Sequence, residues 1–598
     1  MNRKSIKGRA TILCMKKYRV REPLSPKELA SCASHSELIG RLLFHRGIRD
    51  AEAVEAFLEP DFEKHTHDPF LLADMERAVS RVLSAIQRNE RIAVWSDYDA
   101  DGIPGGVILH DFFKKIGFAN FTNYIPHRHD EGFGLNRDGI EELAHEGASL
   151  IITVDCGTAD HGEAALAREL GVDLIITDHH EIPQGFALPD AYATINPKRP
   201  DCQYPEKMLC GAALAWKLVS ALLTRLNSGS PSYRLQTKDY RLPPAGWEKW
   251  LLDLAGLATL SDMVPLRGEN RVIAKYGLQV LRKTPRLGFR TLCAKLRINQ
   301  QMLTEDDIAF LITPRLNAAS RMGDPMDAFR LLATTDEIEA DFAVEHLNRI
   351  NDERKGVVAS MVKEIRHTVR ERYGDGEKKV IVAGNPKWRP SLLGLAASSL
   401  ADEESCPVFL WGRDGGMVLK GSCRSGGGVN VVMLMAAVSR EVVSEFGGHA
   451  QAGGFAIAPE RAHLLETELL RALAAAPAEA AEEHVFLDAV LSLDAVSEAV
   501  YSQVERLAPF GIGNEKPLFL FEGVEVGAVR QFGRERQHLL LSLPRYDGRN
   551  IAAISFFTAP DAWGKEVREG DKINLVAHLE KSFFRDTPEL RLRIVDIV

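Results

Sequence analysis

The sequence predicts a multidomain α/β protein: a parallel-sheet domain, a long connecting helix, a smaller α/β domain and a C-terminal β-barrel. Three observations carry this. At 598 residues the chain exceeds what one hydrophobic core supports. From Arg91 onward, short apolar runs alternate with helical patterns, the signature of βαβ units. A charge-rich stretch at helical spacing, Thr335–Arg372, then separates two such regions, as a connector would.

In chain order, residues 1–75 read as a helical lead-in. Charged and apolar positions alternate at helical spacing from Glu37 to Gln87, interrupted by Pro60 and Pro69. Residues 76–334 form the main domain. Its predicted strands are Ile92–Trp95, Leu150–Val154 and Val172–Thr177, with helices at Gly106–Ile116, Asp160–Leu170 and Gly211–Leu226. A polar, proline-containing loop, Asn227–Pro244, precedes a helix at Trp247–Leu260. The connecting helix occupies 335–375 and ends on the breaker Gly374-Asp375-Gly376. Residues 376–475 repeat an α/β pattern on a smaller scale. It has a strand at Lys379–Ala383, a helix at Ser391–Ala401, strands at Pro407–Trp411 and Met417–Gly421, then a glycine-rich stretch. After the alanine-rich Arg471–Glu483, residues 484–598 show several short strands with turn signals, consistent with a small barrel of oligonucleotide-binding type.

Composition narrows the class. The chain is 45% hydrophobic and 26% charged, with no apolar run long enough to span a bilayer, as in a soluble globular protein. No signal-like apolar stretch follows Arg3 and Lys4, so a cytoplasmic location is expected. Eight cysteines without a C-x-x-C pair read as scattered core thiols, not a disulfide framework or zinc site. The net charge of −9 gives no support to a nucleic-acid partner, because phosphate neutralisation needs local cations. Motifs have to carry any such reading.

The acids fall at strand ends. Ile92–Trp95 runs into Asp97-Tyr98-Asp99-Ala100-Asp101, Leu150–Val154 ends on Asp155, and the third strand ends on Asp178-His179-His180. Doubly wound sheets bind ligands at the carboxyl ends of their strands. Taken singly, an Asp-x-Asp is ordinarily a turn or helix cap, and an Asp after a strand an N-cap. At three successive strand ends they point instead to one crevice lined by carboxylates and imidazoles. Such ligands suit Mn²⁺ or Mg²⁺, and their number suits a two-metal site for phosphoryl displacement.

These residues resemble the DHH phosphoesterase superfamily, whose motif stands here as Asp178-His179-His180, and most closely its RecJ branch. The matching stretches run in order from about residue 40 to the end. They include Arg46-Gly47-Ile48, Phe57-Leu58-Glu59-Pro60, Pro126-His127-Arg128, Gly132-Phe133-Gly134-Leu135, Asn196-Pro197 and Leu260-Ser261-Asp262. Pro314-Arg315-Leu316-Asn317, Gly421-Ser422-Cys423-Arg424, Gly447-Gly448-His449 and Pro509-Phe510-Gly511 continue the series. The resemblance implies a DHH domain, a DHHA1 domain and an OB-fold. It also implies a 5′→3′ exonuclease that hydrolyses single-stranded DNA to 5′-mononucleotides with two divalent cations, Mn²⁺ or Mg²⁺, in DNA repair and recombination.

By the same resemblance Asp97, Asp99, Asp155, His179 and Asp262 are metal ligands, with Asp155 bridging. His180 is either a ligand or a phosphate contact. Arg128 and Arg315 would clamp phosphate oxygens, Asn317 and His449 would assist them near the scissile phosphate, and Phe133 would stack on a base. Ser422 and Arg424 would take the terminal 5′-phosphate. Asp101 is expected to stabilise its loop, and Cys156 to pack. Single-stranded DNA with a 5′-phosphate is the implied partner, together with a single-strand-binding protein and a helicase, acting on a monomer and without a membrane.

Three segments depart from the pattern: Pro104 after the Asp-x-Asp loop, Ser320 in place of a glycine, and Trp388–Gly394 in the second lobe. Two alternatives stand beside this expectation. One is an oligonucleotide or small-nucleotide phosphodiesterase of the superfamily. Those enzymes carry a histidine four residues before the Asp-x-Asp, where this chain has Ala93, and lack the barrel. The other is a non-catalytic DNA-binding replication scaffold, which would have lost metal ligands that are all present here.

Overall fold

A computed structural model describes residues 17–25, 28 and 35–598, except 183–186, 229–239, 375, 377, 414–417, 427, 476–483, 534–535, 559, 561–562, 564–565 and 583–587. Parts of the expected loop 227–244, the breaker at 374–376, the strand beginning at Met417 and the alanine-rich segment therefore lie outside the described residues. The chain divides into two compact units, 62–481 and 1–61 with 482–598.

In the larger unit, five parallel strands form a sheet in the order Phe121–Tyr124, Arg91–Ser96, Ala148–Val154, Asp173–Thr177, Ala193–Ile195. Counted along the chain the order is 2-1-3-4-5, so the winding reverses between the first and third strands, where doubly wound folds place their ligands. The three central strands are almost wholly buried, because helices cover both faces; this explains their unbroken apolar runs. The two edge strands, of four and three residues, are too short to show a periodic signal in the sequence.

Helix limits follow local chemistry. The expected Gly106–Ile116 helix begins earlier, at Gly102, directly on the acid loop. Pro104 fits there because it falls in the first turn, where backbone N–H groups lack intrahelical acceptors anyway. The segment Trp247–Leu260 starts as a 3₁₀ turn, Trp247–Leu251, and becomes α-helical over Leu252–Ser261, with Asp262 as its C-cap. The connector is one helix of 37 residues, Glu337–Tyr373, opened by Asp336, whose side chain accepts from Glu339 N.

The second lobe of this unit has a five-stranded sheet in the order Val443–His449, Ala452–Ile457, Leu419–Arg424, Val408–Gly412, Ile381–Gly384. Only the last pair is parallel. Its first two strands contain Gly447, Gly448, Gly453 and Gly454, which disguised them as loop. The Pro390–Glu404 helix packs against the strands Val408–Gly412 and Leu419–Arg424.

The smaller unit holds a seven-stranded, mainly antiparallel sheet running from Ala489–Val490 through Phe519–Glu525, Lys572–Ser582, Glu589–Ile597, Asn550–Ser555 and His538–Pro544 to Ala528–Phe532. The part of the lead-in up to Asp61 belongs to this unit. Its helices Glu37–His45 and Ala51–Leu58 bury Ile39, Leu42, Leu43, Val54 and Phe57 in the same core as Phe519, Phe521 and Leu575 of the sheet. It also contributes a strand, Lys17–Val20, parallel to His484–Leu487.

Candidate active site

Three strand ends set the floor of the site. Asp97 N donates to Val154 O, Asp155 N to Thr177 O and Asp178 N to Ile195 O, so each acid sits one residue beyond its ladder. Two glycines allow the crowding: a Cβ on Gly102 would stand 2.5 Å from Asp97 O, and one on Gly211 2.5 Å from the Asp155 Cβ. Asp155 itself adopts φ +65°, a left-handed conformation that Asp and Asn accept more readily than most residues.

The side chains converge as three overlapping groups. Ligand atoms of Asp97, Asp99 and Asp155 lie within 4.8 Å of one another, as do those of Asp155, His179 and His180, and those of Asp101, His179 and Asp262. Asp155 and His179 each belong to two groups, so the acids form one continuous centre. His179 Nε2 lies 3.0 Å from Asp155 Oδ1 and 3.6 Å from Asp262 Oδ2. All five expected ligands are therefore brought together. Asp262 arrives from the C-terminus of a helix, a position that strand-end reasoning could not reveal.

Two acids beside the ligands are braces. Asp101 accepts from Gly211 N and Ala212 N at 2.6 and 2.7 Å, tying the acid loop to the Gly211–Asn227 helix. That agrees with the expectation of a loop-stabilising residue, although one of its oxygens also stands 3.6 Å from His179 Nε2. Asp178 accepts from Thr158 N, His179 N, His180 N and His180 Nδ1, at 2.7–3.1 Å. The first residue of the motif thus orients the His180 ring and fastens the backbone of both histidines.

The electrostatics call for cations. Burial and the charge of Asp99 push Asp97 well above the usual carboxylate range, and burial with the neighbouring acids does the same to Asp155. Burial and Asp101 raise Asp262 to about 9. Burial lowers His179 to about 3, so its imidazole is neutral and offers a bare ring nitrogen as a ligand. Burial would also lower His180, but the Asp178 hydrogen bond outweighs it and lifts His180 to about 9. Burial raises Asp178 too, yet the His180 hydrogen bond holds it well below the ordinary range. Among the described residues, Asp97 Oδ1 and Asp155 Oδ1 are buried with no hydrogen-bond partner. Orphaned carboxylate oxygens beside a neutral imidazole fit a site for hard divalent ions. Cys156 is buried and its thiol is pushed well up, first by burial, which makes it a packing residue.

Family models match three stretches: the N-terminal domain of the DHH family over residues 91–242, the DHHA1 domain over 377–475, and the RecJ OB domain over 487–596. The single-stranded-DNA-specific exonuclease RecJ of Bacillus subtilis is 33% identical over 579 residues, 95% of this chain and 69% of that protein. Its Salmonella typhimurium counterpart is 30% identical over 574 residues, 94% of this chain and 95% of that protein. The chain belongs to the RecJ family. RecJ of Thermus thermophilus, solved with Mn²⁺, superposes with a TM-score of 0.77 at 26% identity, covering 97% of this chain and 79% of that one. The Mg²⁺ form gives 0.71 at 25% identity, covering 97% and 78%.

The remaining RecJ-like positions distribute unevenly. Arg128 stacks on the Tyr98 ring at 4.6 Å. Phe133 is 53% exposed and lies edge-on to Tyr98 and to His180 at 6.4 and 5.4 Å. Arg315 is largely buried; its Nε donates to Asn348 Oδ1 and its Nη1 to Leu311 O. Asn317 accepts from Ala100 N at 2.8 Å, so it fastens the acid loop. His449 ends an exposed strand, and no described contact joins it to the acids. Ser422 and Arg424 share the strand Leu419–Arg424, and Arg424 Nη1 donates to Ser422 Oγ at 3.2 Å.

Sequence reasoning missed Arg321. It is half-buried, and that burial with the charge of Arg128 lowers it to about 9. Its Nη1 donates to Ser391 O while Ser391 Oγ donates back to Arg321 O, so it links the two lobes of the larger unit. Its only signal was its place one residue after Ser320, whose buried hydroxyl turns back toward Asn317 O.

Proposed function

We propose that the chain hydrolyses single-stranded DNA from the 5′ end and releases 5′-mononucleotides, at a centre where Asp97, Asp99, Asp155, His179 and Asp262 hold two divalent cations, Mn²⁺ or Mg²⁺. The observation that carries this is the convergence of those five ligands at the winding reversal, with two carboxylate oxygens left without hydrogen-bond partners. Such ions, when bound, supply an activated water and neutralise charge developing at phosphorus.

The chain's own groups do the rest. Arg128, held against Tyr98, presents a guanidinium fork to phosphate oxygens, and Arg321 adds positive field beside it. Phe133 stacks on a base without sequence preference. Asp178 keeps His180 protonated toward the phosphate, and Asn317 holds the acid loop in shape. Arg315 and His449 complete the set through the resemblance. Ser422 and Arg424 receive the terminal phosphate, which sets polarity.

The OB domain supplies a path for the strand. There Phe532, His538, Phe556 and Phe557 form an aromatic cluster with neighbouring ring centroids 4.9–6.2 Å apart, and the Arg593 guanidinium lies 4.1 Å over Phe556. Phe557 is 80% exposed at φ +55°, a strained setting for a bulky residue. One exposed ring backed by half-buried rings and a cation suits single-strand binding. Among the described residues no helix is long and apolar enough to cross a membrane. A cytoplasmic monomer supplied by a helicase and a single-strand-binding protein completes the proposal, in DNA repair and recombination.

The test is digestion of 5′- and 3′-labelled single strands, with a duplex control, in Mn²⁺. Early release of the 5′ label as mononucleotide from single strands alone is expected. Early release of the 3′ label, or equal attack on duplex, overturns the proposal.

A further inference from the structure

We propose that Gly394 and Ser398, both on the Pro390–Glu404 helix, are positioning residues that hold the Arg424 guanidinium open to a terminal phosphate and thereby set the preference for 5′-phosphorylated ends. This rests on the assignment of Ser422 and Arg424 to that phosphate.

Arg424 is a partly buried cation, and among the described residues no carboxylate pairs with it. Its Nε donates to Ser398 Oγ at 3.0 Å, and its Nη1 to Ser422 Oγ at 3.2 Å and Cys423 O at 2.8 Å. Every one of these acceptors is neutral, and Nη2 forms no hydrogen bond among the described residues. Burial lowers the guanidinium's pKa, the mark of a cation removed from water without an acid to balance it. The adjoining helix makes the deficit larger, because the first turns of a helix carry positive partial charge. An arriving phosphate would supply the missing anion and accept from the free Nη2.

Gly394 makes room for this. It is the fifth residue of the helix, where alanine would be the better helix former, so its presence has to answer to something local. A Cβ there would stand 2.7 Å from Arg424 Nη2, 3.3 Å from Cζ and 3.1 Å from Ser422 Oγ. The guanidinium therefore lies against the bare Cα of Gly394, while Ser398, one turn on, pins its Nε. The atoms in the way of a Cβ are the tip of a flexible side chain, so Gly394→Ala displaces the arginine and leaves the helix intact.

The experiment measures kcat/KM on one single-stranded oligonucleotide with a 5′-phosphate and with a 5′-hydroxyl, for wild type, G394A, S398A, S398T and R424A. The ratio of the two values cancels differences in folded fraction. G394A and S398A should each lower the ratio about ten- to a hundredfold, the worth of one charge-assisted hydrogen bond, and S398T, which keeps the hydroxyl, should restore it. If R424A keeps the wild-type ratio, the phosphate assignment itself fails. If R424A lowers the ratio while G394A and S398A keep it, the pocket stands and the positioning role is refuted.

Discussion

In the metal-free protein, Asp155→Asn should stabilise the fold while removing the metal response. Asp155 is 3% exposed, and its carboxylate oxygen lies within 4.8 Å of those of Asp97 and Asp99. At that distance, with an effective dielectric of about 20, each like-charge pair costs about 3.5 kcal/mol. The site escapes part of this cost by retaining protons, which is why Asp97, Asp155 and Asp262 are all raised. The sign follows. A carboxyl raised in the folded state binds a proton there that the unfolded chain has released, so stability falls as pH rises from about 4 toward the folded value. For Asp262 that window extends to about 9.

An amide at 155 removes one charge from the cluster, and asparagine tolerates φ +65°, so no backbone penalty offsets the gain. Without metal at pH 8 the variant should be more stable by about 3 kcal/mol, and the difference should fade toward pH 4. Mn²⁺ at a hundred times its dissociation constant should stabilise wild type by about 2.7 kcal/mol and the variant much less. Urea unfolding followed by tryptophan fluorescence reads this directly, because six of the seven tryptophans (95, 216, 247, 250, 388 and 411) lie in the unit that holds the site. A variant less stable than wild type without metal at pH 8, or equally responsive to Mn²⁺, would refute the electrostatic account of the cluster.

Gly211→Ala should push Asp155 aside by about an ångström, since the new Cβ meets the Asp155 Cβ at 2.5 Å; kcat should fall about a hundredfold and Mn²⁺ binding by calorimetry should weaken, with the circular dichroism unchanged. Asp178→Asn removes the anion that outweighs burial at His180, so in metal-free protein the His180 imidazole, followed by NMR, should titrate below its ordinary value and not near 9. An unchanged titration would show that another group protonates it. Phe557→Ala should weaken binding of a long single strand about five- to a hundredfold in fluorescence anisotropy, the worth of one stacked base, while turnover of a trinucleotide holds steady.

Much of this protein is legible locally. Apolar runs buried on both faces declare parallel strands, and an acid immediately after such a run must emerge at the sheet's carboxyl edge. Asp97, Asp99, Asp155 and His179 were therefore placeable from the sequence, and with them the divalent-metal chemistry. Where the periodic signal was weak, the elements were lost: the short edge strands 121–124 and 193–195, and the glycine-rich pair 443–449 and 452–457.

What the tertiary structure alone decided are the meetings of groups far apart in the chain. Asp262 reaches the centre because its helix ends there, Asn317 fastens Ala100 across 217 positions, and Arg321 binds the lobe that carries Arg424. The lead-in helices share a core with the C-terminal sheet more than 400 residues away. Periodicity states which face of an element is buried, but not against what. Partners are chosen when apolar faces and unpaired polar atoms find the one packing that buries the first and satisfies the second. At the crevice, packing leaves the Asp97 and Asp155 Oδ1 atoms without a hydrogen-bond partner among the described residues, which suits the proposed cations.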